Sequence, residues 1–78
     1  MWHYVYIIEN QWGKHYIGLT DDIKRRLSEH NDGKNISTRK LKPWYLIYFS
    51  GFLDRRKAAE FELYLKSGSG RAFRNKHL

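Results

Sequence analysis

The sequence predicts an α/β fold of the α+β type, in which a small three-stranded antiparallel sheet is flanked by helices. Runs of strand-forming residues occupy positions 4–8, 15–18 and 44–49. Stretches with helical spacing follow the second and third runs, so the predicted element order is β-β-α-β-α-α. A chain of 78 residues has room for one hydrophobic core, and we expect residues 1–78 to form a single domain.

The first two predicted strands form a hairpin. Residues 4–8 consist only of tyrosine, valine and isoleucine, which favour extended structure. A polar stretch at 9–13 separates them from the second strand at 15–18, a spacing typical of antiparallel pairing. Trp12 falls in the turn, where we expect it to be exposed.

The first helix follows the hairpin directly. Thr20 is the predicted N-cap, and Asp21 and Asp22 supply first-turn acids that suit the helix dipole. Gly33 provides a stop, which predicts a helix of about twelve residues.

Residues 34–43 contain mainly basic and small polar residues and show no periodicity, which predicts a loop. Arg39, Lys40 and Lys42 are expected to face solvent there and to contact a nucleic-acid backbone. The continuous apolar run at 44–49 predicts a strand buried on both faces and ended by Ser50 and Gly51.

Two helices complete the predicted fold. Asp54 is the expected N-cap of a helix that reaches about Ser67, where Gly68 interrupts it. Ser69 is the expected N-cap of a short final helix over residues 71–76.

Composition restricts the class of partner. Lys and Arg number 15 against 8 Asp and Glu, a formal charge of +7 that favours a polyanion, although basic charge also serves solubility alone. We expect DNA, and charge does not distinguish it from RNA. The chain has no cysteine, which excludes disulfides and thiolate metal sites. No apolar run approaches the roughly 20 residues that span a bilayer, and the first residues do not resemble a signal peptide, so we expect no membrane association and a cytoplasmic location.

Helical spacing sorts the polar residues of the first helix. Ile23 and Leu27 define its inner face, and Arg26 and His30 flank that face one turn apart. Arg25 is predicted to point outward, as a solvated charge or a phosphate contact. His30 taken alone fits a helix C-terminal histidine that interacts with the dipole.

In the second helix, helical spacing places the carboxylate of Glu62 at the edge of the buried face. Phe61 and Leu65 belong to a buried stripe, and Glu62 borders it. A carboxylate at a core edge needs a cation, so the sequence predicts either a bound metal ion or a salt bridge to Arg26 or a lysine.

The tyrosines of the first two strands have two interpretations. Phenol, guanidinium and imidazole groups together are suited to phosphodiester chemistry. Tyr4, Tyr6 and Tyr16 also fit cross-strand aromatic pairs that only stabilise a sheet. We favour that structural role for Tyr4.

These residues, taken in order, resemble a known family. Tyr4-Val5-Tyr6 and Tyr16-Ile17-Gly18 are similar to the two halves of the signature of the GIY-YIG nucleases, and Arg26, His30 and Glu62 follow in the family's order. The closing segment at 64–73 resembles small stand-alone bacterial members, which are similar to the amino-terminal nuclease domain of a DNA-repair excinuclease.

The resemblance implies a role for each of five residues. Tyr6 and Tyr16 would lie together at the floor of a cleft, and one would act as general base toward water. Arg26 would hold the scissile phosphate, and His30 would accept a hydrogen bond from a tyrosine or relay its proton. Glu62 would bind one Mg²⁺ or Mn²⁺ ion. A phenol has an ordinary pKa near 10, so a tyrosine base needs nearby cations that outweigh the effect of burial.

The sequence departs from the family pattern at several positions. Leu19 stands where excinuclease relatives have a lysine, and Lys14 is the nearest substitute, which we also expect to contact DNA. Tyr4 replaces the glycine of the first half-motif, and Asn75 is the only candidate for a family asparagine after the glutamate.

Two functions follow from these observations. The first is a metal-dependent endonuclease that hydrolyses DNA, selective for structure rather than sequence because no base-reading element is evident. The resemblance places it in DNA repair or recombination. The second is a non-catalytic nucleic-acid binding module with the same basic cleft, which the leucine at position 19 favours.

Overall fold

The structure is a computed structural model that describes all 78 residues. Three strands and three helices follow one another in the predicted β-β-α-β-α-α order, with a single 3₁₀ turn before the third strand. The elements are β1 (His3–Glu9), β2 (His15–Thr20), α1 (Ile23–Asn31), the 3₁₀ turn (Arg39–Leu41), β3 (Tyr45–Phe52), α2 (Arg55–Lys66) and α3 (Gly68–His77).

The sheet is antiparallel, and its spatial order is β2-β1-β3. The first strand of the sequence is therefore the central one, and its residues Val5, Tyr6, Ile7 and Ile8 are all buried. Side chains alternate between the two faces of a strand, so β1 contributes to a separate apolar cluster on each face.

The two clusters use different helices. On one face Val5, Ile7 and Ile17 pack with Ala58 and Leu65 of α2. On the other face Tyr6 and Ile8 pack with Trp44, and Leu27 of α1 lies against them. The sheet is thus covered by α2 and α3 on one side and by α1 on the other.

The prediction that the third strand is buried on both faces is wrong. β3 lies at an edge of the sheet and extends past Ser50 and Gly51 to Phe52, and its Tyr45 and Phe49 are more than half exposed. An apolar run alone does not separate a doubly covered strand from an edge strand with exposed aromatic rings.

The first helix is shorter than predicted. It spans nine residues, and its N-cap is Asp22, whose side chain accepts a hydrogen bond from the Arg25 N–H at 3.0 Å. Thr20 instead accepts from the Asp22 N–H and so shapes the turn that leads into the helix. Gly33 adopts a positive φ of 78° just beyond the end of α1, as its predicted role as a stop requires.

The segment between α1 and β3 is held in place by several hydrogen bonds. The Trp44 indole N–H donates to the Thr38 carbonyl at 2.9 Å, and Asn10 Nδ2 donates to the Leu41 carbonyl at 3.2 Å. Asn31 also binds both backbone groups of Trp44. The predicted loop is therefore ordered around one 3₁₀ turn, and the turn residue Trp12 is 66% exposed, as expected.

The two C-terminal helices are joined by the single residue Ser67. The first of them, α2, has Asp54 as its N-cap, as predicted, and the Asp54 side chain accepts a hydrogen bond from the Arg56 N–H. The final helix starts earlier than predicted, because Ser67 rather than Ser69 is its N-cap and accepts from the Gly70 N–H at 3.2 Å. None of the helices is long and apolar enough to cross a membrane.

The approach of α3 to α2 requires glycine at position 70. A Cβ atom there would overlap backbone atoms of Tyr64 and Leu65, whereas a Cβ at Gly68 would meet nothing within 4 Å. We expect Gly70→Ala to lower the free energy of unfolding by roughly 2 kcal/mol or more, since backbone cannot move aside cheaply. Gly68→Ala is the matched control, with an expected change within about 1 kcal/mol. Urea unfolding measures both free energies. Equal stabilities of the two variants would contradict the close contact of Gly70 with the α2 backbone.

Candidate active site

A cleft of about 620 Å³ lies beside the edge strand β2, where α1 and α2 approach from opposite faces of the sheet. It brings together four of the predicted catalytic and metal-binding residues, Tyr6, Tyr16, Arg26 and Glu62. The fifth, His30, does not line it.

His30 lies behind Tyr6 in the protein interior. It is fully buried, and its Nε2 is 2.8 Å from the Tyr6 hydroxyl. Its Nδ1 is 2.7 Å from the hydroxyl of Thr38, which is also buried. The Tyr16 ring contacts the imidazole edge to face, with ring centres 5.0 Å apart. His30 therefore reaches the cleft through Tyr6.

The environment of His30 keeps its imidazole neutral. Burial lowers the pKa of His30, the positive charge of Arg26 acts in the same direction, and Glu29 opposes them. A neutral imidazole has one N–H donor and one acceptor nitrogen, which matches its two hydroxyl partners.

Burial acts in the opposite direction on the phenol of Tyr6. It raises the pKa of Tyr6, and the neighbouring Arg26 guanidinium offsets only part of that rise. Tyr6 is 2% exposed, and its hydroxyl is hydrogen-bonded to Arg26, which also lines the cleft, so the hydroxyl lies at the cleft's edge. The protein's own charges thus leave Tyr6 as a phenol at neutral pH.

Several arginines give the cleft its charge. Arg26 is half-buried and donates to Glu29 at 3.0 Å, whereas Arg25 is exposed, as predicted, and donates to Asp21 at 3.1 Å. Arg25 nevertheless lines the same cleft, as does Arg55 at the start of α2. Two cations are therefore present besides the one expected from helical spacing.

Glu62 enters the cleft from α2. Its side chain is 20% exposed, and Lys66 lies one turn away with its Nζ at 3.4 Å, so a lysine salt bridge and a place in the cleft coexist. No group of three or more His, Cys, Asp or Glu side chains is clustered as a metal site. One accessible carboxylate fits an ion such as Mg²⁺, which keeps several waters and takes phosphate oxygens as ligands.

The remaining predicted residues lie outside the cleft. Lys14 is exposed in the turn before β2, and Asn75 is exposed on α3. Leu19 lines the cleft, and Lys14 does not join it there. The basic segment (residues 39–42) is carried by the 3₁₀ turn, and its three cations Arg39, Lys40 and Lys42 are exposed and form no ion pair.

A family model for the GIY-YIG catalytic domain matches residues 2–76. The chain belongs to the GIY-YIG family. It is 44% identical to a UPF0213 protein of Streptococcus pneumoniae over 64 residues, which cover 81% of this chain and 65% of that protein. A UPF0213 protein of Streptococcus agalactiae is 37% identical over 70 residues, 88% of this chain and 80% of that protein. The chain thus spans less than two thirds of the length of the first of these relatives.

A solved structure supports the same assignment. The solution NMR structure of a UPF0213 protein from Bacillus halodurans is 33% identical to this chain and superposes with a TM-score of 0.60. The match covers 97% of this chain and 84% of that one. The GIY-YIG fold predicted from the sequence is therefore confirmed.

The geometry explains the last residue of the GIY-YIG signature. Gly18 pairs with Tyr6 across the two strands, and the phenol ring of Tyr6 lies directly over it. A Cβ atom at position 18 would overlap the ring and its hydroxyl. Glycine there lets the phenol reach both His30 and the cleft.

Tyr4 differs from Tyr6 in its surroundings. It occupies the glycine position of the first half-motif, does not line the cleft and packs edge to face on Phe49 with ring centres 6.1 Å apart. This placement fits the structural role favoured for Tyr4.

Sequence reasoning did not identify three residues that matter to this GIY-YIG site. Arg55 lies two helical turns before Glu62, on the same face of α2, so its spacing contained a usable signal. For Gly18 the sequence indicated only its position in the motif. For Thr38 the sequence contained no indication of a role, because its contact with His30 depends on the path of an irregular segment.

The buried imidazole makes stability depend on pH. In the unfolded chain His30 takes up a proton near its ordinary pKa of about 6.5, whereas the folded protein resists protonation to lower pH. The unfolded state binds more protons in that window, so we expect the free energy of unfolding to fall as pH drops below about 6.5. Urea titrations across this range measure the slope, which we expect to be smaller in His30→Gln. His77→Gln, at an exposed position, is the control that keeps the wild-type slope, and equal slopes in all three would contradict this account.

Proposed function

We propose that this protein is a metal-dependent endonuclease that hydrolyses phosphodiester bonds in DNA. The observation that carries the proposal is the convergence of Tyr6, Tyr16, Arg26 and Glu62 on one cleft of a chain with a formal charge of +7. Family membership supports the reaction class, since the matching family model is that of a catalytic domain.

The arginines would bind the substrate. Arg26 is held by Glu29 and projects into the cleft, where its planar group of N–H donors matches phosphate oxygens. Hydrolysis adds negative charge to those oxygens as water attacks phosphorus, and a fixed cation stabilises that charge. Arg25 and Arg55 are suited to neighbouring phosphates of the same strand.

A tyrosine would take the proton of the attacking water. The tyrosine would first lose its own proton to solvent and become a phenolate. The new bond then joins the water oxygen to phosphorus, the bond to the leaving sugar oxygen breaks, the water proton moves to the phenolate oxygen, and the leaving oxygen takes a proton from solvent. Tyr6 is the better placed candidate, because His30 fixes its hydroxyl while Tyr16 has no hydrogen bond. Its raised pKa means that the phenolate would form only with added positive charge in the cleft.

Glu62 would hold a Mg²⁺ or Mn²⁺ ion in the cleft. The chemistry that such an ion supplies when bound is charge stabilisation on the phosphate and the leaving oxygen. Glu62 suits this role because it is accessible and its one partner, Lys66, is exposed and loosely held at 3.4 Å.

The substrate class we propose is branched, damaged or single-stranded DNA, in repair or recombination within the cytoplasm. The cleft is small and lined by backbone-binding arginines, and no strand or helix is positioned to read base edges over the area of about 1,000 Å² that sequence-specific recognition buries. RNA shares the phosphodiester chemistry and is tested beside DNA.

The alternative is a binding module that holds phosphate without cutting it. Leu19 lines the cleft in place of the family lysine, and Lys14 does not replace it. The raised pKa of Tyr6 points the same way, since the phenol is a weak base as it stands.

Cleavage of supercoiled plasmid and of branched or single-stranded DNA with Mg²⁺ or Mn²⁺ separates the two functions. We expect Glu62→Gln and Tyr6→Phe each to reduce the cleavage rate by about 100-fold or more. Tyr4→Phe lies on the same strand outside the cleft and is expected to cut at the wild-type rate. Activity that survived Glu62→Gln or chelation would overturn the assigned mechanism. Tight, salt-sensitive binding without any cleavage would favour the binding module.

The salt dependence of DNA binding tests the basic segment. Lys40→Gln with Lys42→Gln removes two exposed cations that have no acidic partner. We expect weaker binding and a slope of log K against log salt reduced by up to about 1.8, at about 0.9 per phosphate contact. Arg71→Gln with Lys76→Gln makes the same charge change on α3 and is expected to keep the slope. Equal losses in both pairs would mean that only net charge matters.

A further inference from the structure

A buried chain of three side chains ends at the cleft. Thr38 Oγ1 lies 2.7 Å from His30 Nδ1, and His30 Nε2 lies 2.8 Å from Tyr6 Oη. Thr38 and His30 are at most 1% exposed. A neutral imidazole carries hydrogen on one nitrogen only, so one of its two contacts donates and the other accepts.

The position of that hydrogen decides whether the Tyr6 hydroxyl donates to His30 or accepts from it. With hydrogen on Nδ1, His30 would donate to Thr38 and accept the hydroxyl hydrogen of Tyr6. With hydrogen on Nε2, Thr38 would donate to Nδ1, and His30 would donate to Tyr6. Both hydroxyls can donate or accept, so distance alone does not choose between the arrangements.

The surroundings of the two hydroxyls do choose. The Thr38 hydroxyl has a single partner, His30 Nδ1. If Nδ1 carried the hydrogen, the Thr38 O–H would be buried without an acceptor, which costs the desolvation of a polar group. The Tyr6 hydroxyl accepts a hydrogen bond from Arg26 at the edge of the cleft, and because a guanidinium only donates, the hydroxyl's own hydrogen is left to meet water or substrate there.

We propose that Thr38 is a positioning residue that fixes His30 with its hydrogen on Nε2, so that His30 donates to Tyr6 and the Tyr6 O–H points into the cleft. This reverses the role implied by the family resemblance, in which His30 accepts from a tyrosine or relays its proton. Thr38 acts through His30 and touches no substrate.

The arrangement has a direct consequence for catalysis, which rests on the proposed nuclease function. An N–H donor stabilises a phenolate more than a phenol, so it favours the basic form of Tyr6. It also directs the Tyr6 O–H toward the cleft, where that proton can leave to solvent and free a lone pair for an attacking water. The backbone carbonyl of Thr38, which accepts from the Trp44 indole, is unaffected by its side chain.

The tautomer itself is measured by long-range ¹H–¹⁵N NMR of the imidazole in the full chain, where protonated and bare ring nitrogens have separate shifts. We expect His30 to carry hydrogen on Nε2 in the wild type, in Thr38→Ser and in Tyr6→Phe. Thr38→Val keeps the shape of the side chain but loses its hydroxyl, and we expect a population with hydrogen on Nδ1 to appear. Hydrogen on Nδ1 in the wild type, or an unchanged tautomer in Thr38→Val, would overturn the proposal.

Kinetics test the same residue through its effect on Tyr6. We expect Thr38→Val to lower kcat by about tenfold, the effect of one hydrogen bond lost from the transition state, with little change in KM. Thr38→Ser restores the hydroxyl and is expected to restore kcat, which a purely structural defect would not require. A Thr38→Val protein that cut DNA at the wild-type rate would contradict the positioning role. If no DNA were cut by the wild type, the nuclease function would fail, and the NMR measurement would still decide the tautomer.

Discussion

The hydrogen bond between Tyr6 and His30 joins the central strand to α1 at the point where the core meets the cleft. Tyr6 is 2% exposed and His30 is fully buried, yet the phenol hydroxyl is hydrogen-bonded to Arg26 at the edge of the cleft. Because the phenol lies directly over Gly18, strand β2 must present a glycine at the paired position. Packing, strand register and the shape of the cleft are therefore coupled through one side chain, which accounts for the glycine that ends the second half-motif.

Burial has opposite effects on the two partners of this bond. It raises the pKa of Tyr6 and lowers the pKa of His30, so both groups are held neutral. Neutrality lets the pair sit in the interior without an uncompensated charge, but it also makes Tyr6 a poor base in the resting protein. A reaction that uses Tyr6 as base needs positive charge brought close to it, and Arg26 together with an ion on Glu62 would meet that need. The same argument explains why a mixed set of phenol, guanidinium and carboxylate groups belongs in one cleft.

The sequence predicted the features that depend on local spacing and missed those that depend on the path of the chain. Element order and the Asp54 cap follow from periodicity and capping, which act over one or two turns. Helical spacing placed Arg26 and Glu62 only at the edges of buried faces, and their meeting in one cleft was an implication of the family resemblance. The edge position of β3 does not follow from local spacing. It depends on β1 pairing with both other strands, which is a contact between segments far apart in the sequence. The Ser67 cap was missed because two serines compete within three residues and only packing of Gly70 against α2 selects one. Thr38 meets His30 only because Asn10, Asn31 and Trp44 fasten an irregular segment.

The cleft lacks one expected cation but is lined by three arginines, Arg25, Arg26 and Arg55. Leu19 removes one expected positive charge, and Arg25 and Arg55 enter the same cleft from α1 and α2. Charge acts on a phosphate over several ångströms, so a cation need not occupy one fixed position to attract substrate. Lowering the pKa of a phenol is more demanding, since the cation must lie within about 4–6 Å of the oxygen. Arg25 is exposed and paired with Asp21, which suits it to substrate binding more than to pKa control. Control of Tyr6 therefore falls to groups in contact with it, which are Arg26 on the cleft side and His30 on the buried side.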